Sequence, residues 1–263
     1  MRKYLYIYQS EIMSSLQYIT NILINFLGYF VHLFIFFKLW DYIYSNPEEL
    51  INGYSKEQMI WYVVITELLW SAVGGRKLCR KIVETVKGGN IVYNINKPYS
   101  YIGYALSSHL GEATIKITVY SFLGMITGFL FLGNFPELNF FKIIIVIISA
   151  VLATIINTLI VILIGLFSFK IEDANPVYWV YSKTLLILGT LFPVEFFPAA
   201  MQGIIRYSPI FVVSYGPAKL FIDFDYKNAI YILLAQIVYL IIVYMICILV
   251  YKKGVRKLNV NGG

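Results

Sequence analysis

Charge is scarce in this chain of 263 residues: Asp, Glu, Lys and Arg together make up 13%, about half the share of an ordinary water-soluble domain. With 59% hydrophobic residues and a mean hydropathy of +0.73, the chain cannot cover a globular surface with polar groups and needs lipid around it. Cysteine is nearly absent. Cys79 sits in a basic segment and Cys247 in the last apolar run, which excludes a disulfide framework and a Cys/His metal cluster and leaves the redox compartment open. The two histidines, His32 and His109, stand alone, and each reads as a hydrogen-bonded packing residue rather than a ligand. No Gly-x-x-x-x-Gly-Lys-Ser/Thr loop occurs, so the chain has no P-loop to cradle ATP phosphates. Without a Gly-x-Ser-x-Gly elbow, a His-Glu-x-x-His pair or a paired-Asp signature, nothing argues for an intramembrane enzyme. Arg2 and Lys3 precede no short apolar core with a small-residue cleavage site, so a removable signal peptide is not expected.

What the chain has instead is long apolar runs. In hydrocarbon every backbone N–H and C=O must find an internal partner, which leaves α-helices or closed β-barrels. Runs of roughly 18 to 25 residues fit helices, whereas barrel strands would show short alternating segments. The expected architecture is all-α, with six transmembrane helices over residues 18–40, 57–74, 104–132, 141–167, 178–194 and 229–251, in one membrane domain over residues 1–263 without internal repeats. Residues 4–13 mix Tyr4, Leu5, Tyr8 and Ile12 with Gln9 and Glu11 and suit an N-terminal interfacial helix. Asn46-Pro47 marks a turn in the loop 41–56, which carries Asp41, Glu48 and Glu49, and Gly133-Asn134-Phe135-Pro136 breaks the third span from the fourth.

The net charge of +7 finds its use in topology rather than in a nucleic-acid partner. Arg2, Lys3, the six cations Arg76, Lys77, Arg80, Lys81, Lys87 and Lys97, Lys170, and Lys252, Lys253, Arg256 and Lys257 fall on one side of the alternating spans. Lys56, Lys142, Arg206, Lys219 and Lys227 fall on the other, with Lys38 at its edge. The positive-inside rule makes the first side cytoplasmic, with both termini there. Heavy use of Ile, Tyr, Asn and Lys suggests an AT-rich bacterium, hence a multi-pass protein of a bacterial cell (inner or plasma) membrane.

The polar stretch 75–100 carries an apolar stripe, Leu78, Ile82 and Val86, on a basic helix closed by Gly88-Gly89. On charge alone it is a solvated loop that fixes topology. Its residue order adds to that reading: Val86-x-x-Gly89-x-Ile91-x-x-x-Ile95-x-x-Pro98 resembles the short cytoplasmic motif of type 2 ABC exporter permeases. A second likeness is Pro193-Val-Glu-Phe-Phe-Pro198 followed by Tyr207-Ser208-Pro209 and Tyr215-Gly216-Pro217-Ala218-Lys219, where the prolines forbid one continuous helix. The resemblance implies a cytoplasmic coupling helix between spans two and three, formed by Arg80, Lys81, Ile82, Glu84, Thr85, Val86 and Gly89, whose apolar ridge docks into a groove on an ATPase. It also implies broken extracellular helices between spans five and six. The partners implied are separate ABC ATPase subunits that hold ATP and Mg, a second permease (identical or related) and membrane lipid, with no cofactor in this chain and no nucleic acid. A membrane enzyme or assembly factor handling lipid-linked substrates without an ATPase is the alternative. An ion-driven carrier ranks last, because inverted repeats and several mid-span acids are missing.

Ionisable groups inside spans cost about 2.5 to 3.5 kcal/mol each on insertion scales and need accounting for. Glu112 and Lys116 stand i, i+4, acid first, and read as an ion pair within one helix. Lys183, little more than a turn inside span five, can snorkel to the headgroups. Glu67 has no basic residue one turn away and should face another helix or a wet cavity, lining a translocation route or holding a subunit contact. Glu67, Glu112 and Lys116 are the candidates for a translocation route. Gly124-x-x-x-Gly128, one turn after Ser121, makes a smooth face for close helix packing inside one subunit. Phe34, Phe36, Phe37, Trp61, Trp70, Tyr178 and Trp179 are expected mostly at lipid or in interfacial belts, although an apolar substrate cavity would use the same residue types.

Overall fold

The computed structural model describes residues 2–44, 46, 50–136 and 139–261, and the side chains of 257–261 are outside that description. Pro47, Glu48, Glu49 and the side chain of Lys257, which enter the turn and charge arguments above, therefore lie outside the described residues. Among the described residues there is no strand; the chain is a succession of helices.

Helix α1 (Arg2–Gln17) buries none of its residues and lies along the helix that follows the polar stretch. Helix α2 (Ile19–Ile43) buries only Ile22, Tyr29, Leu33 and Trp40, a single seam at seven- and four-residue spacing. Helix α3 (Lys56–Ala72) is different: every residue from Met59 to Leu69 is buried. It is buried on all faces and becomes the central helix, its start fastened by a capping box in which Ser55 Oγ accepts from Gln58 N and Gln58 Oε1 accepts from Ser55 N at 3.2 and 3.0 Å. Helices α4 (Arg76–Lys87) and α5 (Ile91–Ile95) form the polar stretch. The long helices α6 (Tyr101–Leu132) and α7 (Phe140–Leu166) are separated where Gly133 takes φ +77°, which a left-handed C-cap requires and a Cβ resists.

Helix α8 (Asn175–Leu185) widens into a π-helix over Leu186–Leu191, after which Phe192 is extended. The fifth apolar run thus ends at Leu191, three residues earlier than the sequence predicts, because Pro193 cannot donate a helical hydrogen bond and forces the residue before it out of the helical region. The amphipathic α9 (Ala199–Arg206), a second π-helix over Phe211–Tyr215 and α10 (Gly216–Ile222) follow, and α11 (Tyr226–Asn261) closes the chain. The broken segment between the last two apolar runs is as expected, but its second half is more deeply placed than an edge feature. Phe211–Tyr215 and most of α10 are buried against α3 and α7.

Among the described residues four helices are long and apolar enough to cross a membrane: Ile19–Ile43, Tyr101–Leu132, Phe140–Phe169 and Tyr226–Arg256. The second and fifth expected spans, α3 with 17 residues and α8 with its π extension, are shorter than these four and are not among them, and Phe211–Ile222 is a shorter apolar helix. This is an all-α membrane protein. At one end gather α4, the start of α1, whose Lys3 reaches the Pro98 carbonyl, and the end of α11, where Tyr251 stacks on Tyr101 at 6.0 Å; it is called the basic end here. α1 does not float free. Tyr8 Oη meets Thr114 Oγ1 at 3.0 Å, Ser108 Oγ donates to Glu11 at 2.7 Å, and Tyr4 Oη accepts from Ser100 N at 2.9 Å, so α6 carries it as a splint.

The small-residue face of α6 packs within the chain, as its spacing predicts. A methyl at Gly124 would come within 2.4 Å of the Tyr29 hydroxyl, and one at Gly128 within 2.6 Å of the Trp61 ring. Trp61 is a correction to the aromatic expectation: wedged between Phe135 and Phe221, it is core, not belt. Gly128→Leu is expected to lower the thermal stability of the purified protein in detergent by roughly 1–3 kcal/mol through overpacking. Gly28→Ala, whose new methyl meets nothing within 4 Å, should leave the transition unchanged or raise it, as seen by fluorescence-detected unfolding.

Candidate functional site

One cavity of about 680 Å³ lies among α2, α3, α6, α7, α8 and the Phe211–Tyr215 turn. It begins at the basic end beside Arg76, Asp173 and Asn175 and reaches inward to Thr190 and Ser214. Its wall is aromatic, with Tyr29, Trp70, Tyr120, Tyr178, Trp179 and Tyr181. Of the aromatic residues expected at lipid, in belts or along a cavity, Trp70, Tyr178 and Trp179 are wall residues of this cavity. A volume of this size suits a small organic ligand.

Lys116, one of the three route candidates, lines the cavity. Glu67 stands one side chain behind the wall: it is fully buried, and its Oε1 lies 2.7 Å from Nδ1 of His32, which does face the cavity. Ser71 Oγ donates to the same oxygen at 3.1 Å, while Oε2 has no partner among the described residues. Glu112 is turned elsewhere, toward a cleft of about 90 Å³ shared with Glu11, Lys81 and His109. It makes the expected i, i+4 pair with Lys116 at 2.9 Å, with Lys77 at 4.0 Å. The structure thus places Lys116 on the cavity wall, Glu67 behind that wall in contact with His32, and Glu112 beside it. Lys183 also lines the cavity.

His109 is the packing residue that its isolation suggests, its Nε2 3.1 Å from the Val73 carbonyl. His32 is hydrogen-bonded as expected, to Glu67, but its side chain is half exposed to the cavity rather than packed. A signal for the pairing was present. His32 lies 12 residues before Tyr44 and Glu67 12 residues after Ser55, so two antiparallel helices joined by that loop bring the two side chains to one depth.

At the end away from the basic one, the two proline-rich motifs meet. Tyr54 Oη and Tyr215 Oη donate to the two carboxylate oxygens of Glu195 at 2.8 and 2.6 Å, Lys219 Nζ donates to Tyr54 Oη at 3.1 Å, and Arg206 stands 3.6 Å from Glu195. Glu195 comes from the Pro-Val-Glu-Phe-Phe-Pro segment, and Tyr215 and Lys219 from Tyr-Gly-Pro-Ala-Lys. The network ties both to the α2–α3 loop. Burial and the Glu195 carboxylate push the Tyr54 phenol well above its usual range, so it stays a donor.

The polar stretch departs from its expected geometry. In α4 the ridge Leu78, Cys79, Ile82, Val83 and Val86 is buried, turned onto α7 and α8 of the same chain. Ile82 rests where Gly165 has no side chain; a methyl there would come within 2.9 Å of it. The apolar ridge is therefore not free to enter a groove on another protein. The physical reason is proximity: once Gly74 and Gly75 turn the chain, α4 lies directly on the ends of its own spans, and burying the ridge there costs no association entropy. The accessible face holds Arg76, Lys77, Arg80, Lys81, Glu84 and Lys87, with Arg80 paired to Glu84 at 2.8 Å. Thr85 is turned back, donating to the Lys81 carbonyl at 2.7 Å. Gly89 takes φ +71° as the helix ends, and beyond it Val92 and Tyr93 are exposed at 50% and 73%. Burial pushes the Cys79 thiol up to about 11, which makes it a packing group. Among the described residues no group of three His, Cys, Asp or Glu side chains is placed to hold a metal.

A family model described as "ABC-2 family transporter protein" matches residues 27–262. The chain belongs to the ABC-2 transporter family. No curated protein matches it. Membrane proteins of the ABC-2 family are transport subunits rather than enzymes and generally work with ABC ATPases. A cavity walled by apolar helices is in keeping with that membership.

His32→Leu is expected to destabilise this ABC-2 protein by roughly 1–3 kcal/mol, the cost of leaving a buried carboxylate without its partner. Adding Glu67→Gln should recover most of the loss. A thermodynamic cycle of the two single variants and the double variant measures this, and additive losses would mean that the pair is not coupled.

Proposed function

We propose that this chain is the permease subunit of an ATP-driven exporter, a single permease domain of a bacterial cell membrane with its basic end and both termini in the cytoplasm. The observation that carries the reading is the cavity, which leads from the basic end to the middle of a chain that belongs to the ABC-2 family. Polar wall groups at membrane depth, His32 and Lys116 among them, are costly if they open onto lipid. A second permease packed across α2 and α8 relieves that cost and completes the route.

In this reading the chain supplies leverage. ATP and Mg reside on the partner ATPase and provide the driving free energy. The ATPase meets the basic face of α4, centred on Arg80 and Lys81, and the apolar tip at Val92 and Tyr93. α4 is the lever because its ridge is fastened to α7 and α8, both of which wall the cavity. A displacement received on the basic face passes through Ile82 to α7 with no loop between to absorb it. The cycle advances only if the ATPase holds the two permease states with different free energies, and this contact is where that difference enters.

The test is purification from the native host with its neighbours, with ATP hydrolysis as readout. An ATPase should co-purify. Arg80→Glu with Lys81→Glu should lower that association about tenfold, as expected for losing and reversing charge at an interface rim, while leaving the amount of folded permease unchanged. Ile82→Asp should lower the amount of folded permease itself, since it buries a charge. Transport by the chain alone in liposomes without nucleotide would refute the reading.

A further inference from the structure

The charges on the cavity wall are unbalanced in a way that topology does not require. Cations that set orientation work as well in the loops, yet Lys116 and Lys183 sit within helices and line the cavity, and Arg76 stands at its mouth. Lys116 is compensated by Glu112 at 2.9 Å. Among the described residues, Arg76 and Lys183 have no carboxylate within 4 Å. Among the described residues Asp173 is the carboxylate on the wall, and it keeps its negative charge: its Oδ1 accepts from the backbone and side-chain N–H groups of Asn175 at 3.0 and 2.7 Å, which hold it below the usual carboxylate range, and it forms an ion pair with neither cation. The buried Glu67 lies behind the wall, its Oε1 held by His32 and Ser71 and its Oε2 without a partner among the described residues. What remains is a wall on which cations outnumber the carboxylate, with Arg76 and Lys183 in no ion pair among the described residues, beside aromatic rings.

We propose that the cavity takes an anionic amphiphile, its carboxylate or phosphate group drawn to Arg76 and Lys183 and its apolar part laid against the aromatic wall. The proposal deepens the transport reading and rests on it for the cavity's role as the route. A cationic amphiphile would find the aromatic faces but meet two like charges. A neutral one would leave both cations unpaired as it displaced water from them. The headgroup chemistry is common to an acidic membrane lipid and to a soluble tailed acid.

The test is binding of dansyl-undecanoate to the purified full-length chain in nanodiscs of zwitterionic lipid, compared with the trimethylammonium analogue of equal chain length. The acid should bind about tenfold more tightly, the scale of one well-placed charge contact, and Arg76→Gln with Lys183→Gln should abolish the preference. Equal binding, tighter binding of the ammonium probe, or a preference that survives both substitutions would overturn the proposal. If the double variant does not fold, the comparison of the two probes on the unaltered chain, together with Lys183→Gln alone, still decides. Displacement by phosphatidylglycerol but not by octanoate assigns a membrane lipid, displacement by octanoate a soluble acid, and displacement by neither counts against the site. The assay contains no nucleotide and no ATPase, so a failure here leaves the ATPase association untouched, and loss of that association leaves this result standing.

Discussion

Two helices in this protein widen and break inside an apolar body, and the carbonyls released there must be satisfied by side chains, because neither lipid nor a regular helical ladder can do it. The rest of the arrangement follows from that demand. Gly189, in the π-helical end of α8, has its carbonyl taken by Tyr62 at 2.7 Å and by Ser214 at 2.8 Å, and the Thr190 carbonyl is taken by Thr66 at 2.9 Å. Tyr62 and Thr66 are one turn apart on α3, so the central helix carries a small rack of hydroxyls against the broken one. On the far side, Gln236 from the middle of α11 donates to the carbonyls of Val212 and Ser149 at 2.9 and 3.0 Å and fastens the second break to α7.

This explains why α3 is buried all round. It must touch both broken segments, and it does so with polar groups that no lipid-facing helix can afford. It also makes the inner end of the cavity a place where backbone geometry is held from several sides, while the outer helices α2 and α11 each contribute one seam and leave their remaining faces to lipid. The Glu195 network repeats the principle at the far end, where Tyr54 and Tyr215 hold a carboxylate that ties the two proline-rich segments to one loop.

Long apolar runs, the turn at Gly133, the small-residue face of α6, the cap of α4 and the break near Pro193 were legible because each depends on residues close in sequence. The site was less so. Glu67 showed itself as an ion without a local partner and His32 as a hydrogen-bonded residue, but that the two meet across 35 residues depends on the pairing of two antiparallel helices, which neither shows alone. The ridge of α4 was read as a docking surface for another protein. Its period of 3.6 says that one face is covered, but not by what.

By itself the sequence determined the class: too few charges for water, runs of helical length, basic residues gathered on alternate connections, and motifs in the order of an ABC-2 permease. These are properties of composition and local spacing, and they survive any packing. Only the tertiary structure decided that the ridge of α4 is turned onto Gly165, that Trp61 is core while Trp70 and Trp179 are wall, and that Arg76 and Lys183, more than a hundred residues apart, share one cavity. Those outcomes depend on which helices lie side by side, and in an apolar medium that choice is set by close approach at glycines and by the pairing of the few polar groups, neither of which can be read one segment at a time.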